Sequence, residues 1–243
     1  MNEETKVKAT EEAAAGADAK AAGAAPKRKG KRWPVVVGVV AVILVAAGSG
    51  FWVWHEQPSF CNAICHTSMD PYNETYDQAD GVTGVDKWGN EVSNTHAMLA
   101  VSHKTAVADG GADATCMSCH VPQLSEQVSE GIAWLTGDYY AELDERSLDD
   151  LTEARAIPND EFCMNEACHV NEDGTVMTRD DLIALTADYE RNPHVAEHQE
   201  YDCGTCHKAH RASVVECSRC HTDTEIPEGW LSVDQAKKLD MPA

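Results

Sequence analysis

Residues 194–221 read HVAEHQEYDCGTCHKAHRASVVECSRCH, with four cysteines and five histidines in one short stretch. Cys203-Gly-Thr-Cys206-His207 and Cys217-Ser-Arg-Cys220-His221 both have the form C-x-x-C-H, the attachment motif of a c-type haem. The spacing has a chemical reason. Two thiols three positions apart reach the two vinyl groups of one porphyrin and form thioethers. The histidine that follows then lies under the ring, where its imidazole binds iron.

The remaining six cysteines follow the same rule. Cys116-Met-Ser-Cys119-His120 is a third regular motif. Cys61-Asn-Ala-Ile-Cys65-His66 has one extra residue between its thiols, and Cys163-Met-Asn-Glu-Ala-Cys168-His169 has two. The extra residues must loop out from the porphyrin edge. All 10 cysteines are thereby used, and each second cysteine precedes a histidine. With 11 histidines in 243 residues, five such placements by chance come to about one in five million. Zinc sites also use C-x-x-C pairs, and an extracytoplasmic chain could build a disulfide framework. Neither alternative requires histidine directly after every pair. Five covalent c-type haems is the expectation.

Residues 1–32 form a tail rich in Ala, Gly, Glu and Lys, without an aromatic residue to seed a core, and the expectation is a disordered cytoplasmic segment. It ends in Lys27-Arg28-Lys29-Gly30-Lys31-Arg32, followed by an uncharged run over 33–54. The apolar centre from Val35 to Val53 makes roughly 28 Å of helix, enough to cross a bilayer. Five basic residues before it and none close after it place the N-terminus in the cytoplasm. Trp33 at one end, with Trp52 and Trp54 at the other, suits the interfacial belts. A cleaved signal peptide with Ala46-Ala47-Gly48-Ser49 as its small-residue site is the alternative. Either way, residues 55–243 are delivered outside the cytoplasm. Cys61 follows Trp54 by seven residues, which sets the first haem at the membrane surface.

The fold class expected is mainly α with long loops: a single N-terminal transmembrane helix plus an extracytoplasmic multihaem domain, residues 55–243, organised around five stacked haems. Too little chain surrounds each cofactor for an ordinary core, so the porphyrins must supply much of the buried apolar surface. The chain carries −22 overall. The first 32 residues hold 8 Lys+Arg against 5 Asp+Glu, which leaves about −25 on the outer domain. Such a domain has no use for nucleic acid and suits a partner with a basic docking face. Leu124, Val128, Ile132, Leu135 and Tyr139 recur at helical spacing and predict a helix over about 123–140. Others are expected over about 147–156, from Thr178 as N-cap to just before Asn192-Pro193, and after Ser232.

Six histidines lie outside the motifs: His55, His96, His103, His194, His198 and His210. That number nearly matches the sixth-ligand positions of five haems. Saturated irons pass electrons, whereas an open iron binds substrate. His103, His194, His198 and His210 are the candidate distal ligands, beside the motif histidines His66, His120, His169, His207 and His221. His55 fits an interfacial role better than ligation.

The anchor, Phe60, a first haem motif, Met69-Asp-Pro-Tyr72, then His103 before Cys116-Met-Ser-Cys119-His120-Val121-Pro122 together resemble the NapC/NirT family. These are membrane-anchored multihaem quinol dehydrogenases, including the small membrane subunit of cytochrome c nitrite reductase. The likeness covers about residues 33–207. The stretch 194–221 looks more like the bis-histidine tetrahaem domains attached to soluble fumarate reductases. The resemblance implies electron uptake from a quinol such as menaquinol and delivery to an extracytoplasmic reductase subunit. It implies Met69 as a possible ligand of the first haem in place of His66, although Met69 lies one residue further from the motif than the family usually has it. It also implies a carboxylate base, for which Asp138 stands near the expected position. The lysine the family places after its second motif is absent, and the fifth motif exceeds the usual four. A terminal reductase working at an open haem, or a link to extracellular acceptors, is the competing function.

Overall fold

The computed structural model describes residues 32–105, 114–120, 123–138, 147–153 and 156–239. Residues 1–31, Val121, Pro122 and Tyr139 lie outside the described residues, and of Cys65, His66 and Thr67 only the backbone is described. The chain divides into two compact units, residues 1–46 and 47–243. The boundary falls within the first helix, α1, Trp33–His55. This helix is long and apolar enough to cross a membrane, and none of its residues is buried.

α2, Pro58–Asp77, follows after two residues. Pro58 at its first turn costs nothing, because that N–H has no helical partner in any case. The helix continues through Pro71, where one backbone bond is lost. Next comes a hairpin of β1, Gly84–Val85, and β2, Glu91–Val92, paired antiparallel. Its turn is held by the Asp86 carboxylate, which accepts from Trp88 N at 2.9 Å and Asn90 N at 2.8 Å. A 3-10 turn, Thr95–Ala97, leads into α3, Leu99–Thr105. Lys104 of α3 donates to the carbonyls of Tyr76 and Gln78 at 2.6 and 2.9 Å. A cation on these last carbonyls stabilises the helix end and ties α3 to α2.

The other elements are short: α4 Cys116–Cys119, α5 Leu124–Thr136, α6 Leu148–Thr152, α7 Asn159–Cys163, α8 Arg179–Leu185 and α9 Cys203–Cys206. A second ladder then pairs β3, Val214–Val215, with β4, Leu231–Ser232, in parallel, and α10, Val233–Ala236, closes the described chain. Helix α5 stops short of the expected 140 because Gly137 takes a left-handed cap at φ 72°, a conformation that costs glycine little. Helix α8 begins at the expected Thr178 cap and α6 at a Ser147 cap, whose hydroxyls accept from Asp181 N and Asp150 N. Both end early, α8 at a Thr186 cap well before Asn192.

The apolar core of the described residues is small. Val92, Met98, Val101 and Ala212 form it, with Leu231 packed against them. This cluster joins the hairpin and α3 to a segment a hundred residues later. Leu99 N donates to Lys208 O at 2.9 Å, Ala100 N to Ala209 O at 3.0 Å, and Lys87 N to His210 O at 3.0 Å. Ser213 Oγ donates to Ala97 O at 2.7 Å. The C-terminal segment is thereby laid along α3, which decides where His210 points.

Candidate functional site

Each regular motif is one tight turn closed by its own histidine. His120 N donates to Cys116 O at 2.8 Å, His207 N to Cys203 O at 2.9 Å, and His221 N to Cys217 O at 2.9 Å. The closure keeps both cysteines and the histidine of each motif on one turn of chain. The motif with two extra residues achieves the same closure differently. His169 N reaches back to Cys163 O at 3.4 Å, while Ala167 N turns onto Asn165 Oδ1 at 3.0 Å. The added residues bulge away and leave the ends of the motif together. The first motif lies wholly within α2.

Four motif histidines face a histidine from elsewhere in the chain. His194 and His207 have ring centres 6.5 Å apart and planes within 5° of parallel. His198 and His221 are 6.1 Å apart and within 7°. His120 and His210 stand 6.4 Å apart at 28°, and His103 and His169 stand 6.0 Å apart at 69°. Two imidazoles on opposite sides of one metal, each bonded at about 2.0 Å with roughly 1.1 Å from nitrogen to ring centre, have centres about 6.2 Å apart. All four separations suit one iron between two axial imidazoles. Direct stacking would bring near-parallel rings much closer than this.

The hydrogen bonds on three of these rings select the tautomer that ligation needs. Thr75 Oγ1 spends its proton on Tyr72 O at 2.8 Å, so His210 Nδ1, 2.7 Å away, must donate to it. Thr186 Oγ1 likewise donates within its own segment, at 2.7 Å to Leu182 O, and accepts from His194 Nδ1 at 3.0 Å. His103 Nδ1 donates to Leu99 O at 3.1 Å. In each case Nε2 keeps its lone pair, the arrangement by which a second shell orients a metal-bound imidazole. Burial pushes His210 down to about 3, helped by His120 and Lys87, and His207 down to about 4, helped by His194, His103 and His169. His194 and His169 are also lowered, first by burial.

Consecutive motifs are close neighbours. The Cys163 thiol donates to Cys203, which raises the former and lowers the latter, so the third and fourth motifs meet sulfur to sulfur. Arg179 braces this junction. It holds Asp160 with Nε at 2.9 Å and Nη2 at 2.8 Å, Tyr201 O at 2.8 Å and Glu200 at 2.8 Å. Asp160 also accepts from Cys203 Sγ at 3.6 Å.

The other candidates sit elsewhere. His96 lies on the surface with Nδ1 3.0 Å from Asp80. His55 is tucked among Phe51, Trp52 and Phe60. Met69 is half-buried on α2, and its carbonyl accepts from Asn73 Nδ2 at 3.0 Å. Asp138 is exposed just beyond the Gly137 cap. Thr75, Thr186 and Leu99 O, which fix the three tautomers, carried no signal in the sequence, because what marks them is a partner on another element or another turn.

The donor set fits haem better than the alternatives. Among the described residues no three of His, Cys, Asp and Glu converge as a zinc ion requires. Cys116, Cys163, Cys168, Cys203, Cys206, Cys217 and Cys220 are all unbridged thiols. The small core, and the exposed Leu124, Val128, Ile132 and Leu135 of α5, match a large apolar prosthetic group. When bound, haem supplies an iron that gains and loses one electron.

The cytochrome c3 family matches residues 149–222. The chain is 59% identical over 218 residues to the cytochrome c-type protein Cgr1 of Eggerthella lenta, covering 90% of this chain and 95% of that protein. No solved structure matches. The motif turns, the opposed imidazoles and this near full-length likeness agree: the chain belongs to the multihaem c-type cytochromes and is an electron-transfer protein with covalently bound haem.

Proposed function

We propose that this cytochrome is anchored in the cytoplasmic membrane with its N-terminus inside, carries five haems, and passes electrons from quinol to an extracytoplasmic reductase. Menaquinol is the donor that the NapC/NirT resemblance favours. The observation that carries this reading is the continuity of α1 into α2. An apolar helix ending at His55 is followed at once by a helix whose fourth residue is Cys61. The first haem then stands where a lipid-soluble donor can reach it.

The residues divide the work as follows. Cys61 and Cys65 would tether the first haem, with His66 or Met69 as its ligand. Cys116 and Cys119 would tether the second, with His120 and His210 as ligands. Cys163 and Cys168 would tether the third, with His169 and His103. Cys203 and Cys206 would hold the fourth with His207 and His194, and Cys217 and Cys220 the fifth with His221 and His198. Paired imidazoles leave no open coordination position, which favours conduction over substrate chemistry. The contact between Cys163 and Cys203, and the nearness of Cys217 to Cys206, support a path from the third motif through the fourth to the fifth. The acidic surface there suits a basic reductase face. Asp138 is the carboxylate the resemblance assigns to a quinol proton.

Intact mass spectrometry should show the increment of five haems, and the resting protein should give low-spin electron paramagnetic resonance signals apart from at most one high-spin haem at the first motif. Membranes supplied with a reduced menaquinol analogue should show haem reduction. A high-spin haem among the last three motifs, or no reduction in intact membranes, would overturn the reading.

A further inference from the structure

His55 ends α1, and its Nδ1 is buried without a hydrogen-bond partner. Its side chain is 17% exposed. The ring lies 4.8 Å from the centre of Phe60 and 5.9 Å from Trp52, at 28° to the latter. Phe60 in turn meets Trp54 at 4.9 Å and Phe51 at 5.6 Å. The outer faces of Phe51, Trp52 and Trp54 remain exposed. Phe60 immediately precedes Cys61, so this aromatic nest adjoins the first haem motif through one peptide bond. The Glu56 carboxylate stands 3.5 Å from Nδ1. That contact does not make a hydrogen bond to the nitrogen. A polar ring atom left unsatisfied in apolar surroundings is costly, and such atoms in folded proteins usually have an external partner.

We infer that His55, rather than the Asp138 that the resemblance suggests, is the first proton acceptor for quinol, with the aromatic nest as the seat of the quinol ring; this rests on the quinol reading above. The quinol ring lies against Trp52 and Phe60, and one hydroxyl donates to His55 Nδ1. Oxidation breaks both O–H bonds and converts both C–O bonds to C=O. Two electrons leave one at a time to ferric haem held by the first motif. The first proton goes to Nδ1 and moves by way of Glu56, itself 42% exposed, to water; the second leaves the opposite hydroxyl, which lies beyond reach of Nδ1, directly to water.

The test uses the full chain in membranes, with menadiol as reductant and a hydroxyquinoline N-oxide as a quinol-site ligand followed by fluorescence quenching. Haem content and reduction by dithionite report that each variant is intact. His55→Phe should slow reduction by menadiol about 100-fold or more, the usual contribution of a general base, and weaken the N-oxide at least ten-fold. His55→Gln keeps a polar atom in the nest and should retain much of the N-oxide affinity while remaining slow. Wild-type protein that menadiol cannot reduce overturns the quinol reading itself. Wild-type protein that is reduced, with both His55 variants reduced equally fast and binding the N-oxide equally well, overturns the role of His55 alone.

Discussion

Replacing Thr75 by Val removes one hydroxyl and little volume from a fully buried site (0% exposed). Two hydrogen bonds go with it, the 2.7 Å bond from His210 Nδ1 and the 2.8 Å bond to Tyr72 O. The His210 N–H is then buried without an acceptor, which costs about 1–3 kcal/mol. In a domain of this size each kcal/mol lowers Tm by roughly 2–4 °C. The lost bond also lowers the basicity of the imidazole and so favours ferrous over ferric iron. If about 1 kcal/mol of the bond is differential between the two oxidation states, the potential of the second haem rises by about 40 mV, taking 59 mV per tenfold change for one electron. The assay is a spectroelectrochemical titration of wild type, Thr75→Val and Thr75→Ser, with melting curves of each. Serine keeps the hydroxyl and should stay close to wild type in potential. Identical potentials and melting points for valine and wild type would refute the tautomer argument, because the hydroxyl would then be no acceptor for His210.

The paired rings make a second set of expectations. His210→Ala should open one haem to the high-spin state, whereas His96→Ala, which breaks only an exposed ion pair with Asp80, should leave the spin-state spectrum unchanged. Replacing both Cys163 and Cys168 by Ala should reduce the haem content measured as pyridine haemochrome by one part in five; an unchanged content would show that the expanded motif is not an attachment site. Gly229→Ala should lower the melting temperature by several degrees. Gly229 has φ 81°, and an added Cβ would lie 2.7 Å from Asn94 Cβ, where the 3-10 turn leading to α3 begins.

What could be read from the chain alone is the chemistry that is local in sequence. Ten cysteines set in pairs before histidines point to thioether attachment without reference to fold, because the two sulfurs and the imidazole of a motif lie a few residues apart. The apolar run of α1 and the caps at Thr178 and Ser232 are legible for the same reason: each depends on neighbours a few residues away. The two-residue strands are too short for any period to show, and α3 has the pattern of a buried helix too brief to announce itself. The pairing of the rings was out of reach altogether. His210 lies three residues after His207, yet it faces His120, because backbone bonds from 208–210 to α3 and the hairpin and the bond to Thr75 swing it away from its own motif. His103 and His169 meet across 66 positions in the same way. Sequence spacing names the imidazoles; only the packing of distant segments decides which two face each other, since that choice is made by contacts no stretch of chain contains.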